Sequence, residues 1–105
     1  MKAIIDGKLY NTETADLICD CGSRTHNQSD FTYWAGKLYR TKKGAFFIDG
    51  HGNAASLYSV PSGSGQNSYM GSSGIKVVDQ EWAERICEQE LTPEEYDELF
   101  NAEEA

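Results

Sequence analysis

Phe31-Thr32-Tyr33-Trp34-Ala35-Gly36-Lys37-Leu38-Tyr39-Arg40-Thr41-Lys42-Lys43-Gly44-Ala45-Phe46-Phe47-Ile48-Asp49 is a series of short aromatic and apolar runs interrupted by glycine. Aromatic and β-branched side chains suit a pleated, half-buried surface, and glycine suits the turns between strands. The stretch therefore predicts an antiparallel meander. Phe31–Trp34 forms one strand and turns through Ala35-Gly36 into Lys37–Thr41, and Lys42-Lys43-Gly44 then turns into Ala45–Asp49.

Working outward, Gly36-Lys37-Leu38-Tyr39-Arg40-Thr41 echoes Gly7-Lys8-Leu9-Tyr10-Asn11-Thr12 near the start of the chain. There Ala3-Ile4-Ile5 and Lys8-Leu9-Tyr10 flank Asp6-Gly7, a pair suited to the positive φ angles of a type I′ hairpin turn. Asn11 to Cys19 offers a capping residue, an early acid and apolar positions at Ala15, Ile18 and Cys19, which predicts a short helix over 13–19. Cys21 to Ser29 reads as a loop, Gly50-His51-Gly52-Asn53 as a turn, and Ser56–Val60 as a strand stopped by Pro61. The segment 62–74 is dominated by Gly, Ser, Asn and Gln around Tyr69 and Met70 and reads as a loop, before a last strand over Gly74–Val78.

Two helices follow. Asp79 caps one over 80–90, and Thr92-Pro93-Glu94-Glu95 is a capping box that opens another over 93–101. At 100° per residue Trp82, Ala83, Ile86 and Cys87 share one face of the first, opposite Glu81, Glu84 and Glu88. In the second, Tyr96, Leu99 and Phe100 face inward while Glu94, Glu95, Asp97 and Glu98 face out. The whole is a single α+β domain over 1–105. Antiparallel hairpins and a meander with a short N-terminal helix fill 1–78, and two acidic C-terminal helices fill 79–105.

Charge divides the chain in the same place. Residues 1–78 hold eight bases and six acids, whereas residues 79–105 hold eleven acids and only Arg85 as a base, which together account for the net charge of −8. An acidic surface repels nucleic acid and draws basic proteins by long-range steering, so direct DNA or RNA binding is not expected. No apolar run reaches the roughly 20 residues of a membrane helix, and Met1 to Asp6 lacks a signal peptide's apolar region. The expected setting is a cytoplasm without membrane attachment, with the three cysteines reduced.

Three constellations could carry chemistry. Cys19, Cys21 and His26, joined by Cys87 or His51, supply zinc-ligand types, but Cys19-Asp20-Cys21 has a single intervening residue and lacks the spacing of a structural zinc knuckle. Free cysteine beside apolar neighbours is more often a small buried hydrophobe. A nucleophile relay can be assembled from Cys21, His26, His51, Asp49 and serines, yet no nucleophile elbow supports it. Tyr33, Trp34, Tyr39 and Arg40 in the meander are of the types that dominate protein interfaces, although alternate aromatics more simply fill a core. The expectation is therefore a protein without catalytic residues or a cofactor.

The acidic helices stand apart, because mixed signs at i,i+4 would stabilise each helix better than the near absence of bases. Glu81, Glu84, Glu88, Glu94, Glu95, Asp97 and Glu98 are the candidate partner-binding residues. Lys2 to Ala15, Ser29-Asp30-Phe31 and Leu38 to Phe47, followed by a glycine-rich segment and an acidic helical end, resemble small proteins of phages and mobile elements, some of which are anti-CRISPR inhibitors. The resemblance implies a non-catalytic inhibitor that binds a CRISPR–Cas effector in the bacterial host. Such a protein would compete through phosphate-mimicking carboxylates for the bases that hold nucleic acid. Two readings stand beside it: a small zinc-binding or hydrolytic domain built on Cys19, Cys21 and His26, and a phage accessory protein without a host target. An open meander edge would also allow pairing across a two-fold axis into a homodimer.

Overall fold

The computed structural model describes residues 1–23, 27–62 and 69–105. Strands β1 (Lys2–Ile5) and β2 (Lys8–Asn11) form the first hairpin. Asp6 at φ 51° and Gly7 at φ 75° both take the left-handed conformation that a type I′ turn requires.

The helix predicted over 13–19 is absent, and strand β3 (Asp16–Gly22) occupies most of that segment. Asn11 does act as a cap, but for a single turn: its Oδ1 accepts from Glu13 N–H at 2.9 Å and its C=O accepts from Ala15 N–H at 3.0 Å. Beyond that turn Ala15, Ile18 and Cys19 fit a helical period while Cys19 and Cys21 fit a period of two, and a cross-strand partner decides between them. That partner is β4 (Trp34–Arg40), which places Cys19 opposite Leu38, Cys21 opposite Gly36 and Asp20 opposite Lys37, with a bulge between Leu17 and Cys19.

β4 runs straight through Ala35-Gly36, where a turn was expected, and Phe31 to Tyr33 leads into it as a turn rather than a strand. Likewise β5 (Phe46–Gly52) runs through Gly50-His51-Gly52. The reason is close approach between strands. A Cβ on Gly36 would meet the Asp49 carbonyl oxygen at 2.8 Å, and one on Gly50 would collide with the Ala35 carbonyl oxygen. The expected strand over 56–60 is also replaced, since Ser56 to Ser59 forms a turn and only Val60–Pro61 (β6) extends, pairing with Tyr69–Met70 (β7). Strand β8 (Ser72–Val78) begins inside the segment expected to be loop. Residues 63–68 of that predicted loop lie outside the described residues.

The main sheet has the order β3-β4-β5-β8, antiparallel throughout. Helix α1 (Gln80–Glu90) starts where the Asp79 side chain accepts from Trp82 N–H at 2.9 Å. Helix α2 (Pro93–Phe100) starts at the complete Thr92/Glu95 capping box and ends at Asn101 in the left-handed conformation. Leu38, Phe46, Ile48 and Val78 of the sheet pack with Ala83, Ile86 and Cys87 of α1, flanked by Tyr96 and Phe100 of α2. On the opposite face Phe47 is fully buried, with Tyr39 stacked 5.2 Å away and Tyr10 of the hairpin edge-on at 5.6 Å.

Buried Tyr58 ties the turn at 56–59 to the sheet. Its hydroxyl donates to the Gly74 carbonyl at 2.9 Å, with the Ile48 carbonyl at 3.2 Å sharing the same proton. Tyr58→Phe should therefore lower unfolding stability by about 1–3 kcal/mol in urea denaturation, with the far-UV spectrum unchanged, because a buried carbonyl loses its donor.

Candidate functional site

The α+β architecture places the C-terminal acids on the surface of α1 and α2, while Ala83, Ile86 and Cys87 turn into the core. The seven candidate carboxylates divide by what they touch. Glu81 holds Arg85 Nη2 at 2.7 Å, Glu84 accepts from Gln80 Nε2 at 3.3 Å, Glu95 closes the capping box, and Asp97 accepts from Ala102 N–H at 2.9 Å. Glu88, Glu94 and Glu98 are exposed and carry neither an ion pair nor a hydrogen bond among the described residues. Half-buried Tyr96 marks where the helices meet. Its hydroxyl pKa is raised, first by desolvation and then by the negative charges of Glu84 and Glu88, so carboxylates of α1 face α2.

A separate aromatic crevice of about 250 Å³, lined by no acid, has Trp34 of the sheet facing Trp82, Arg85 and Ile86 of α1. Periodicity assigns Trp82 to the buried face, yet it remains 40% exposed while Cys87 is fully buried. Trp82 and Cys87 bound opposite margins of an apolar arc about 140° wide. The sheet covers the Cys87 side of that arc, so Trp82 lies at its open rim. Its exposure beside Arg85 and Gln89, in a crevice that no acid lines, is the feature that the sequence reading missed.

The other meander candidates do not gather on one surface. Tyr39 stacks on Phe47 on the hairpin side of the sheet, whereas Arg40 lies on the helix side, 5.8 Å above the Phe46 ring. Tyr33 packs obliquely against His51 at 6.1 Å. The chain matches no family model, no curated protein and no solved structure.

The cysteines do converge. Cys19 and Cys21 share the face of β3 that packs against the core cluster holding Cys87 of α1. His26 lies outside the described residues. Desolvation, followed by Cys87, Cys21 and Glu90, pushes the Cys19 pKa up to about 12. Desolvation, followed by Glu90, Asp20 and Cys87, pushes Cys21 up to about 12. Burial also raises Cys87. These thiols are protonated near neutrality, whereas the nucleophile and the metal ligand are thiolates. Among the described residues no group of three or more His, Cys, Asp and Glu is placed to hold a metal ion. Asp49 and His51 share one face of β5 with Ser73 opposite His51, but no hydrogen bond joins the three into a relay.

The raised thiols make a prediction with a definite sign. An unfolded cysteine loses its proton near pH 9, before the folded thiols do, so the unfolded state binds fewer protons across the window from about 9 to 12. Unfolding free energy measured in urea should be level below this window, as far as the cysteines set it, and fall as pH rises through it. Replacing Cys19 and Cys21 by serine should flatten the decline, and an equal decline in that variant would assign it to other groups.

Proposed function

We propose that this chain is a non-catalytic binding protein whose α1–α2 surface occupies a basic patch on a partner protein. One observation carries the reading: among the described residues a single ion pair, Glu81–Arg85, offsets the eleven acids of 79–105. Self-repulsion on this scale weakens both helices, and a cationic partner surface relieves it. Trp82, half-exposed at the rim of its crevice, adds an anchor of the type that dominates interface energies.

The partner class follows from the chemistry. A protein surface that holds nucleic-acid phosphates is rich in Lys and Arg, and carboxylates along two helices can compete for those positions. Together with the resemblance to phage and mobile-element proteins of the anti-CRISPR kind, this points to a CRISPR–Cas effector in the cytoplasm of a bacterial host. The protein would block its nucleic-acid binding or cleavage by occupancy rather than by chemistry. Among the described residues no helix is long and apolar enough to cross a membrane.

Capture from lysates of bacteria carrying CRISPR–Cas systems, with the tagged chain and washes at low and high salt, tests this reading. A Cas protein should be recovered and should elute as salt rises. The triple change Glu88→Gln, Glu94→Gln, Glu98→Gln removes only carboxylates without internal partners, so it should weaken binding about tenfold and flatten the salt dependence while leaving the fold intact. Trp82→Ala should cost at least about 2 kcal/mol of binding energy at unchanged salt slope. Binding indifferent to all four changes would overturn the proposal.

A further inference from the structure

A second charged region, separate from the acidic helices, lies at the N-terminal hairpin. A cleft of about 550 Å³ separates β2 from the β4–β5 turn. Gly7 to Asn11 line it and no residue of β1 does, so it runs along the unpaired edge of β2.

Register determines what that edge presents. A two-residue type I′ turn makes Ile5 and Lys8 a hydrogen-bonded pair, and alternation makes Ala3 and Tyr10 the next. The bond from Thr12 N–H to Met1 C=O at 3.0 Å continues the series. Ile4–Leu9 and Lys2–Asn11 are then the alternate pairs, whose backbone groups point away from the partner strand. The Asn11 carbonyl is taken by Thr14 and Ala15 N–H on that side. Leu9 is left with both its N–H and its C=O directed to the cleft.

Side chains supply the charge. Lys8, Lys42 and Lys43 line the cleft together with Thr14 and Thr41, and no acid does, in a chain of net charge −8. Asp16 reaches Lys42 from outside the lining at 3.0 Å, and an exposed pair of this kind is readily exchanged.

We propose that this cleft binds an extended acidic segment of a partner protein, which adds to β2 as a short third strand. One residue of the segment exchanges two backbone hydrogen bonds with Leu9, and flanking carboxylates reach Lys8, Lys42 and Lys43. Backbone polarity selects a peptide over a phosphate. A phosphate would satisfy the lysines and the Leu9 N–H but set its oxygens against the Leu9 C=O, acceptor facing acceptor, whereas a peptide supplies both a donor and an acceptor.

Titrating the isotope-labelled full chain with a capped pentapeptide of alternating glutamate and valine, followed by amide NMR, tests the proposal. Shifts should centre on Lys8–Tyr10 and Thr41–Ala45, the Leu9 amide should gain protection from solvent exchange, and affinity should fall at least tenfold from low to high salt. The exposed changes Lys8→Gln, Lys42→Gln and Lys43→Gln should abolish the shifts while preserving the rest of the spectrum. Three outcomes would overturn it: no shift at millimolar peptide, equal shifts from a lysine–valine peptide, or binding of pyrophosphate as tight as the peptide with Leu9 unprotected.

Discussion

Phe46, Phe47 and Ile48 are consecutive, and all three are buried. In a strand with a side-chain period of two this burial requires cover on both faces at once. Phe46 and Ile48 face the helices, and Phe47 faces the other way into the ring contacts with Tyr39 and Tyr10. A 105-residue chain has little material for two covers. It solves the problem by placing its helices on one face and its first hairpin on the other. The hairpin attaches through one buried aromatic, Tyr10, at the end where β2 leaves toward β3. The rest of the hairpin stands clear of the sheet, which is why Ile4 is 74% exposed and why a cleft opens along β2.

How much of this was legible in the sequence depends on whether the deciding interaction is local. Asp6-Gly7 announces its turn because only certain residues accept two successive positive φ angles, and the structure has that turn. The Thr92/Glu95 capping box and the Asp79 cap are equally local, and both helices begin where those residues place them. Gly36 and Gly50 mislead because a glycine needed for positive φ and a glycine needed for close strand approach look alike until the neighbouring strand is known. Residues 13–19 mislead for a related reason: a single capped turn followed by an apolar pattern compatible with both periods is settled by Leu38 and Gly36 across the ladder.

The candidate site was legible to a different degree. Composition alone identifies the excess of acid at the C-terminal end, but it does not separate carboxylates that already serve the fold from those that do not. Glu95 and Asp97 read as surface charges, although one closes a cap and the other holds the chain leaving α2. Glu88, Glu94 and Glu98 emerge as free only once those partners are known. Trp82 required knowledge of which margin of the α1 arc the sheet covers. The meeting of Cys19 with Cys87 required the register of β3 and the placement of α1 over it, neither of which is encoded near either cysteine.

Segregation of charge between the two layers has a consequence that neither layer would have alone. Acids dominate the helical layer, while Lys8, Lys42 and Lys43 gather at the hairpin and the β4–β5 turn, so the molecule carries a dipole in addition to its net charge of −8. A net charge steers encounter with any cationic body, but a dipole also selects the orientation of approach. On the proposed function, a basic partner would be met helices first, which would bring the unpaired carboxylates to its surface and turn the lysine cleft away from it. If both proposed contacts form, they engage opposite sides of the sheet, and salt screens each from the other over a Debye length of about 8 Å.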